Sequence, residues 1–503
     1  MTTSLQNTLP PALQNNPLLT FGRGIAAYSQ VKPEHITPAI EFLLKHAQDA
    51  VNLATDSKTP STWNELAEPL EDATEALGRS WSVISHLNSV ADTPELRSAY
   101  GAMLPQVTAF FSSLGQNLAL YQKFKELSKS PEFAKLNRAQ KKVIENSLRD
   151  FRLGGAELSD ADKPRFAQIQ DEQAILGKAF SDHVLDATDG FVHVVANEAE
   201  LKGLPEDVKA AAADTAQQKG LQGWAFTLHF PSYYPVMQYS ENRALRRLMY
   251  EAYVTRSSEL GPEFAKGKLD WDNTLNMLDQ LRLRDEEARM LGFANFAALS
   301  LAPKMANTVD EVDLFLTNFA HKSKPFAQRD WDELCAFAKT ELGIDDIQPW
   351  DTAFAAEHLK QERYSFSENE LKQYFPLPKV LDGLFRVIQT LFGVKIESAD
   401  LPTWHSDVQS FAVKNTKGNI VAYFYLDPYA RSGKRGGAWM DDARGRRELP
   451  NGEIQVPVAY LVCNFAPPVK VDGVLRQPTI THDDVITLFH ESGHGLHHLL
   501  TQV

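Results

Sequence analysis

The stretch from Thr481 to Leu500 constrains this chain more than any other, because one helical period organises its apolar residues and also an H-E-x-x-H pattern. Val485, Leu488, Phe489, Leu496, Leu499 and Leu500 recur at helical spacing, which predicts a helix from about 482 to 500. Thr481, followed three residues later by Asp484, approximates a capping box at its start. Residues four apart on a helix share a face, so the imidazoles of His490 and His494 can reach one Zn²⁺ while Glu491 points toward a water on the metal. That combination suits the hydrolysis of a peptide bond.

The same three residues could instead line a polar helix face with Glu491 solvated. Gly493 and Gly495 argue against a plain surface helix, since each costs about 1 kcal/mol relative to Ala and signals a close approach. A catalytic zinc takes three protein ligands, and the third is not visible. His498 shares the face, yet a rise of about 1.5 Å per residue puts it roughly 12 Å from His490, beyond the span of one metal. His497 fails in the same way, and Asp483 and Asp484 lie a turn or more ahead of the motif.

The run from Thr481 through His498 resembles the active-site helix of the thimet oligopeptidase family of metallopeptidases. The likeness extends along most of the chain, through Trp271-Asp272, Leu291-Gly292-Phe293, Lys304-Met305-Ala306, Trp350-Asp351, Tyr364-Ser365 and Trp404-His405. It continues in Tyr425-Leu426-Asp427, in Lys434-Arg435-Gly436-Gly437-Ala438-Trp439 and in the segment Pro457 to Phe465. The resemblance implies that His490 and His494 ligate one zinc ion and that Glu491 is the general base, with short peptides as substrates. It further implies a mainly α fold, two helical lobes flanking a deep channel, with a small β-sheet near the zinc-binding helix. Ser492 departs from the family's common Phe, a loss of apolar volume behind the metal. The family's glutamate third ligand, with the Tyr and His residues that steady the tetrahedral intermediate, is expected beyond residue 503. That expectation raises a second reading, a catalytically inactive truncated fragment that binds peptide or a partner. It also predicts an exposed apolar surface around Leu496, Leu499 and Leu500.

Three regions are expected: an N-terminal helical lobe over 1–155, a helical connector over 156–222, and a metallopeptidase region over 223–503 without its C-terminal part. Gly154-Gly155 supplies the first boundary. Helical patterns occupy Ile36 to Leu53 and Trp81 to Val90, and Asp92-Thr93-Pro94-Glu95 starts another. Further helices are expected over 160–186, 205–218, Glu241 to Ser258 and Trp271 to Leu291, with Arg243, Arg246 and Arg247 at exposed positions. Pro231-Ser232-Tyr233-Tyr234-Pro235 reads as a turn. Short strands are expected near 190–195 and 223–228, a hairpin over Val408 to Leu426, and a strand from Val456 to Phe465. Tyr460 and Asn464 on that last strand are candidate substrate-binding residues, through edge pairing with an extended peptide. The basic run Arg431-Ser432-Gly433-Lys434-Arg435-Gly436-Gly437 lacks the spacing of a phosphate loop and reads as a flexible, solvated loop bordering the peptide channel.

The net charge of −14 disfavours nucleic acid and anionic membrane as partners. No apolar run is long enough for a membrane span, and the N-terminus lacks the pattern of a secretory signal. Two cysteines, Cys335 and Cys463, give no disulfide framework, which suits a reducing cytoplasm. A cytoplasmic monomer acting on short peptides is the expectation.

Overall fold

The computed structural model describes residues 9–449, 451–471 and 474–502. Helices dominate them. Pro33–Thr55, Glu68–Val90 and Pro94–Gly115 pack together in the N-terminal part, each with Pro in its first turn, where no ladder N–H is needed. Ile36, Ile40, Leu43 and Ala47 lie on one face of the first and are fully or almost fully buried. Thr93 caps the third through its hydroxyl, which accepts from the Leu96 N–H at 3.2 Å. Lys163–Gly190 then crosses Pro94–Gly115 and also packs on Thr274–Met290. His193–Val195 and Trp224–Phe226 form a small antiparallel pair.

Two readings of this region change. Pro231 to Pro235 is helical, within Phe230–Tyr239. Pro231 sits in the first turn, and Pro235 forfeits a single ladder bond, a loss that burial of Tyr233, Val236 and Met237 offsets. Arg246 is buried rather than exposed. It projects from Arg243–Thr255 onto Asp351, its Nη2 2.7 Å from Oδ1, while Arg243 holds the other carboxylate oxygen at 2.6 Å. Burial would raise the Asp351 carboxyl, but the two guanidinium groups hold it below the usual range.

A five-stranded sheet organises the C-terminal part. Its order in space is Lys395–Ser398, Gln409–Lys414, Ile420–Tyr429, Val458–Phe465, Trp439–Arg444. All neighbours are antiparallel except Ile420–Tyr429 with Val458–Phe465, which run parallel. Because side chains alternate across a strand, the sheet separates two cores. Tyr425, Val458, Tyr460 and Val462 join the N-terminal helices. Phe424, Leu426, Ala459, Leu461, Cys463 and Phe465 join Leu377–Phe392 and the helix His482–Leu499. Among the described residues, no helix is long and apolar enough to cross a membrane.

Candidate functional site

The helix His482–Leu499 begins as its sequence predicts. Thr481 Oγ1 accepts from the Asp484 N–H at 3.1 Å, and Asp484 Oδ2 accepts from the Thr481 N–H at 3.0 Å. Glu368 adds a second cap that sequence alone does not announce, accepting from the His482 N–H at 2.8 Å. Its other oxygen pairs with Lys360 Nζ at 2.5 Å. Two carboxylates at the positive end of the helix dipole, Asp484 and Glu368, thus anchor the first turn.

The apolar side of the helix lies on the sheet. Leu488 and Leu499 are buried, and Leu496 and Leu500 pack against the same core, so the expected apolar exposure at 496–500 is not found. Gly495 permits the approach, because a Cβ there would come within 3.0 Å of Leu461 Cδ2. Gly493 has no such neighbour within 4 Å and faces outward, so only one of the two glycines marks a close contact. Ser492 is buried, its hydroxyl bonded to the Leu488 carbonyl at 2.7 Å, beside an apolar cavity of about 20 Å³.

On the outward side His490 and His494 are exposed, with their Nε2 atoms 3.1 Å apart and ring planes at 81°. Two donors bound to one tetrahedral zinc at about 2.0–2.1 Å stand roughly 3.3 Å apart, so the pair fits two of the four positions. Among the described residues, no group of three His, Cys, Asp or Glu could hold a metal. His498 is engaged elsewhere, donating from Nε2 to the Arg444 carbonyl at 3.1 Å, and Asp484 is committed to the cap. Glu491 follows His490 directly and is 8% exposed, at the line where the polar face meets the sheet. Its charge is felt at the buried Cys463 thiol, which burial chiefly pushes up and Glu491 pushes further.

The structure separates the remaining candidates from the histidine pair. Tyr460 is fully buried on the opposite face of the sheet, its ring stacked on His86 at 3.6 Å and its hydroxyl 2.6 Å from that of Tyr28. Its strand is also internal, flanked by Ile420–Tyr429 and Trp439–Arg444. Edge pairing at Tyr460 and Asn464 is therefore ruled out by sheet order, and the edge strands of the sheet are Trp439–Arg444, beside Val458–Phe465, and Lys395–Ser398 at the far side. Asn464 Nδ2 donates to the carbonyls of Arg435 and Gly437 at 2.9 and 2.6 Å, which fixes the end of the glycine-rich loop.

That loop is anchored where the sequence suggests solvated basic residues. Lys434 is 1% exposed and donates to Asp427 Oδ1 and to the carbonyls of Tyr429 and Cys463 at 2.7, 2.7 and 2.6 Å. Burial pulls its ammonium down to about 8 against the attraction of Asp427. Arg431 grips the same carboxylate through both oxygens at 2.6 and 2.7 Å, and Trp404 Nε1 adds a bond at 2.9 Å. Gly433 adopts φ +72°, and its N–H reaches Asp189 while its carbonyl accepts from the Asp92 N–H, both at 2.9 Å. The signal available in sequence was Asp427 itself, a lone carboxylate in the otherwise apolar run of Ile420 to Tyr429.

Comparison with known proteins agrees with this arrangement. Residues 236–503 match the model for peptidase family M3, and residues 40–163 match the neurolysin/thimet oligopeptidase N-terminal domain. Oligopeptidase A of Escherichia coli is 44% identical over 489 residues, covering 97% of this chain and 71% of that protein. Oligopeptidase A of Haemophilus influenzae is 45% identical, covering 97% and 70%. An organellar oligopeptidase A of Arabidopsis thaliana is 39% identical, covering 97% and 62%. With its helix, its histidine pair and more than half its length matched, the chain belongs to peptidase family M3.

Proposed function

We propose that this chain hydrolyses short peptides with one Zn²⁺ held by His490 and His494, Glu491 acting as general base. The observation that carries the reading is the 3.1 Å separation of the two Nε2 atoms on an exposed helix face, with Glu491 as the next residue on the same turn. A zinc ion held there by His490 and His494 would supply Lewis-acid polarisation of the scissile carbonyl and acidify the attacking water. Glu491 takes the proton from that water and delivers it to the departing amine, a role suited to a carboxylate next to the ligands and shielded from bulk solvent. An extended peptide can lie along Trp439–Arg444, whose outer side carries no further strand among the described residues. Asn464 acts on that path indirectly, by holding the carbonyls of Arg435 and Gly437 just ahead of the strand.

The test is cleavage of an internally quenched peptide by the chain with added Zn²⁺. Glu491→Gln is expected to lower turnover by about 10²- to 10⁴-fold while leaving metal uptake intact. Equal turnover in the variant would overturn the assignment. A second reading, peptide binding without turnover, is favoured by one observation: the described residues offer two of the three ligands a catalytic zinc takes. Saturable peptide binding by a folded, zinc-loaded chain that cleaves nothing would establish it.

A further inference from the structure

We propose that Arg79 and Arg23 line a binding site for an oxyanion, a carboxylate or phosphate, where the N-terminal helices meet the end of the strand Trp439–Arg444. Arg79 stands on Glu68–Val90 with its side chain 8% exposed, and its Nη2 lies 3.2 Å from Glu75 Oε2. Its Nε and Nη1 are buried and, among the described residues, have no hydrogen-bond partner. The Phe21 ring centroid lies 5.5 Å from the guanidinium carbon. Arg23 contributes a third buried donor of the same kind, Nη1, its Nη2 being spent on Asp72 Oδ1 at 3.0 Å.

Two more guanidinium groups surround this pair. Arg447 reaches the same Asp72 oxygen at 2.7 Å, and Arg444 bonds the carbonyls of Val456 and Gly24 at 2.9 and 3.0 Å. Arg23 and Arg444 both act on the charge of Arg79, and Arg447 on that of Glu71. Three guanidinium groups, those of Arg23, Arg447 and Arg79, therefore share two carboxylates, Asp72 and Glu75, with one positive charge in excess. Buried N–H groups without an acceptor are rare. An oxyanion supplies both the missing acceptors and the missing charge, whereas water supplies only the acceptors.

The cluster is connected to the histidine-bearing helix, since the Arg444 carbonyl accepts from His498. Eight helical residues, about 12 Å, separate His498 from His490. The oxyanion can thus come from a carboxylate of a bound peptide or from a free anion.

Calorimetric titration of the whole chain with inorganic phosphate tests the site without reference to hydrolysis. One saturable site is expected, weakened by about tenfold or more in Arg79→Met. Arg247→Met, which removes an exposed pair with Glu251, should leave binding unchanged. Arg23→Met serves as the second variant if Arg79→Met does not fold. Displacement of phosphate by a short peptide with a free C-terminal carboxylate, and not by its amide, assigns the site to peptide recognition. Binding that neither peptide displaces assigns it to a free anion. Absence of saturable phosphate binding, or equal binding by wild type and both folded arginine variants, overturns the proposal.

Discussion

His86 illustrates how much a single side chain takes from its surroundings. It is enclosed by Tyr460, Trp404 and Tyr28, with ring centres at 3.6, 4.2 and 6.2 Å, and burial pulls its imidazole down to about 3. Asp427 opposes that shift, while Arg431 and Lys434 reinforce it. A free histidine titrates near pH 6.5. As pH falls from about 6.5 toward 3, the unfolded chain therefore binds a proton that the folded chain refuses, and stability falls with it. The contribution is fully present above pH 6.5. His86→Phe, which keeps an aromatic ring in the stack, is expected to flatten the dependence of the urea midpoint between pH 7 and 4. An unchanged slope in a folded variant would count against this assignment. Neither the burial nor the shift is legible in Ser85-His86-Leu87, because every neighbour that causes them comes from elsewhere in the chain.

At the scale of one element, the helix His482–Leu499 was readable before the fold was known. Its cap, its period and its histidine pair are all local, so residues within four positions specify them. Replacing Thr481 by Ala should cost about 1 kcal/mol through loss of the cap, measured by denaturant unfolding. The two glycines should respond differently. Gly493→Ala meets nothing within 4 Å and is expected to stabilise by about 1 kcal/mol. Gly495→Ala brings a methyl against Leu461 Cδ2, and the strain should cancel most of that gain. Equal stabilisation by both would mean that the helix does not press on the sheet at Gly495. In the proline-rich run at 231–235 turn chemistry and helical burial compete, and tertiary packing decides for the helix.

Over the whole molecule, the exposed apolar surface lies away from where the sequence placed it. Leu499 is buried and its neighbours are packed, while Leu314, Phe315, Phe319 and Phe326 on Val309–Leu342 are each more than half exposed. Leu275, Leu278 and Leu281 on Thr274–Met290 are exposed to a similar degree. An environment-sensitive hydrophobic dye should bind the chain, and the double substitution Phe319→Ser, Phe326→Ser should reduce its fluorescence. Equal reduction by Leu496→Ser alone would place the surface at the other helix.

The sequence by itself determined the strongly periodic helices such as His482–Leu499, the hairpin, the strand Val458–Phe465 and the pairing of His490 with His494, since each rests on a short period or on a cap and its neighbour. It also carried the family, because the matched motifs are contiguous. Only the tertiary structure decided that Tyr460 faces away from the histidines, that its strand is internal, that Lys434 and Arg246 are buried partners of Asp427 and Asp351, and that the partly exposed Arg431 shares Asp427. Strand order and ion pairing join residues far apart in the chain. Local periodicity fixes which faces an element has, whereas the partner that covers each face is chosen by packing across the whole fold.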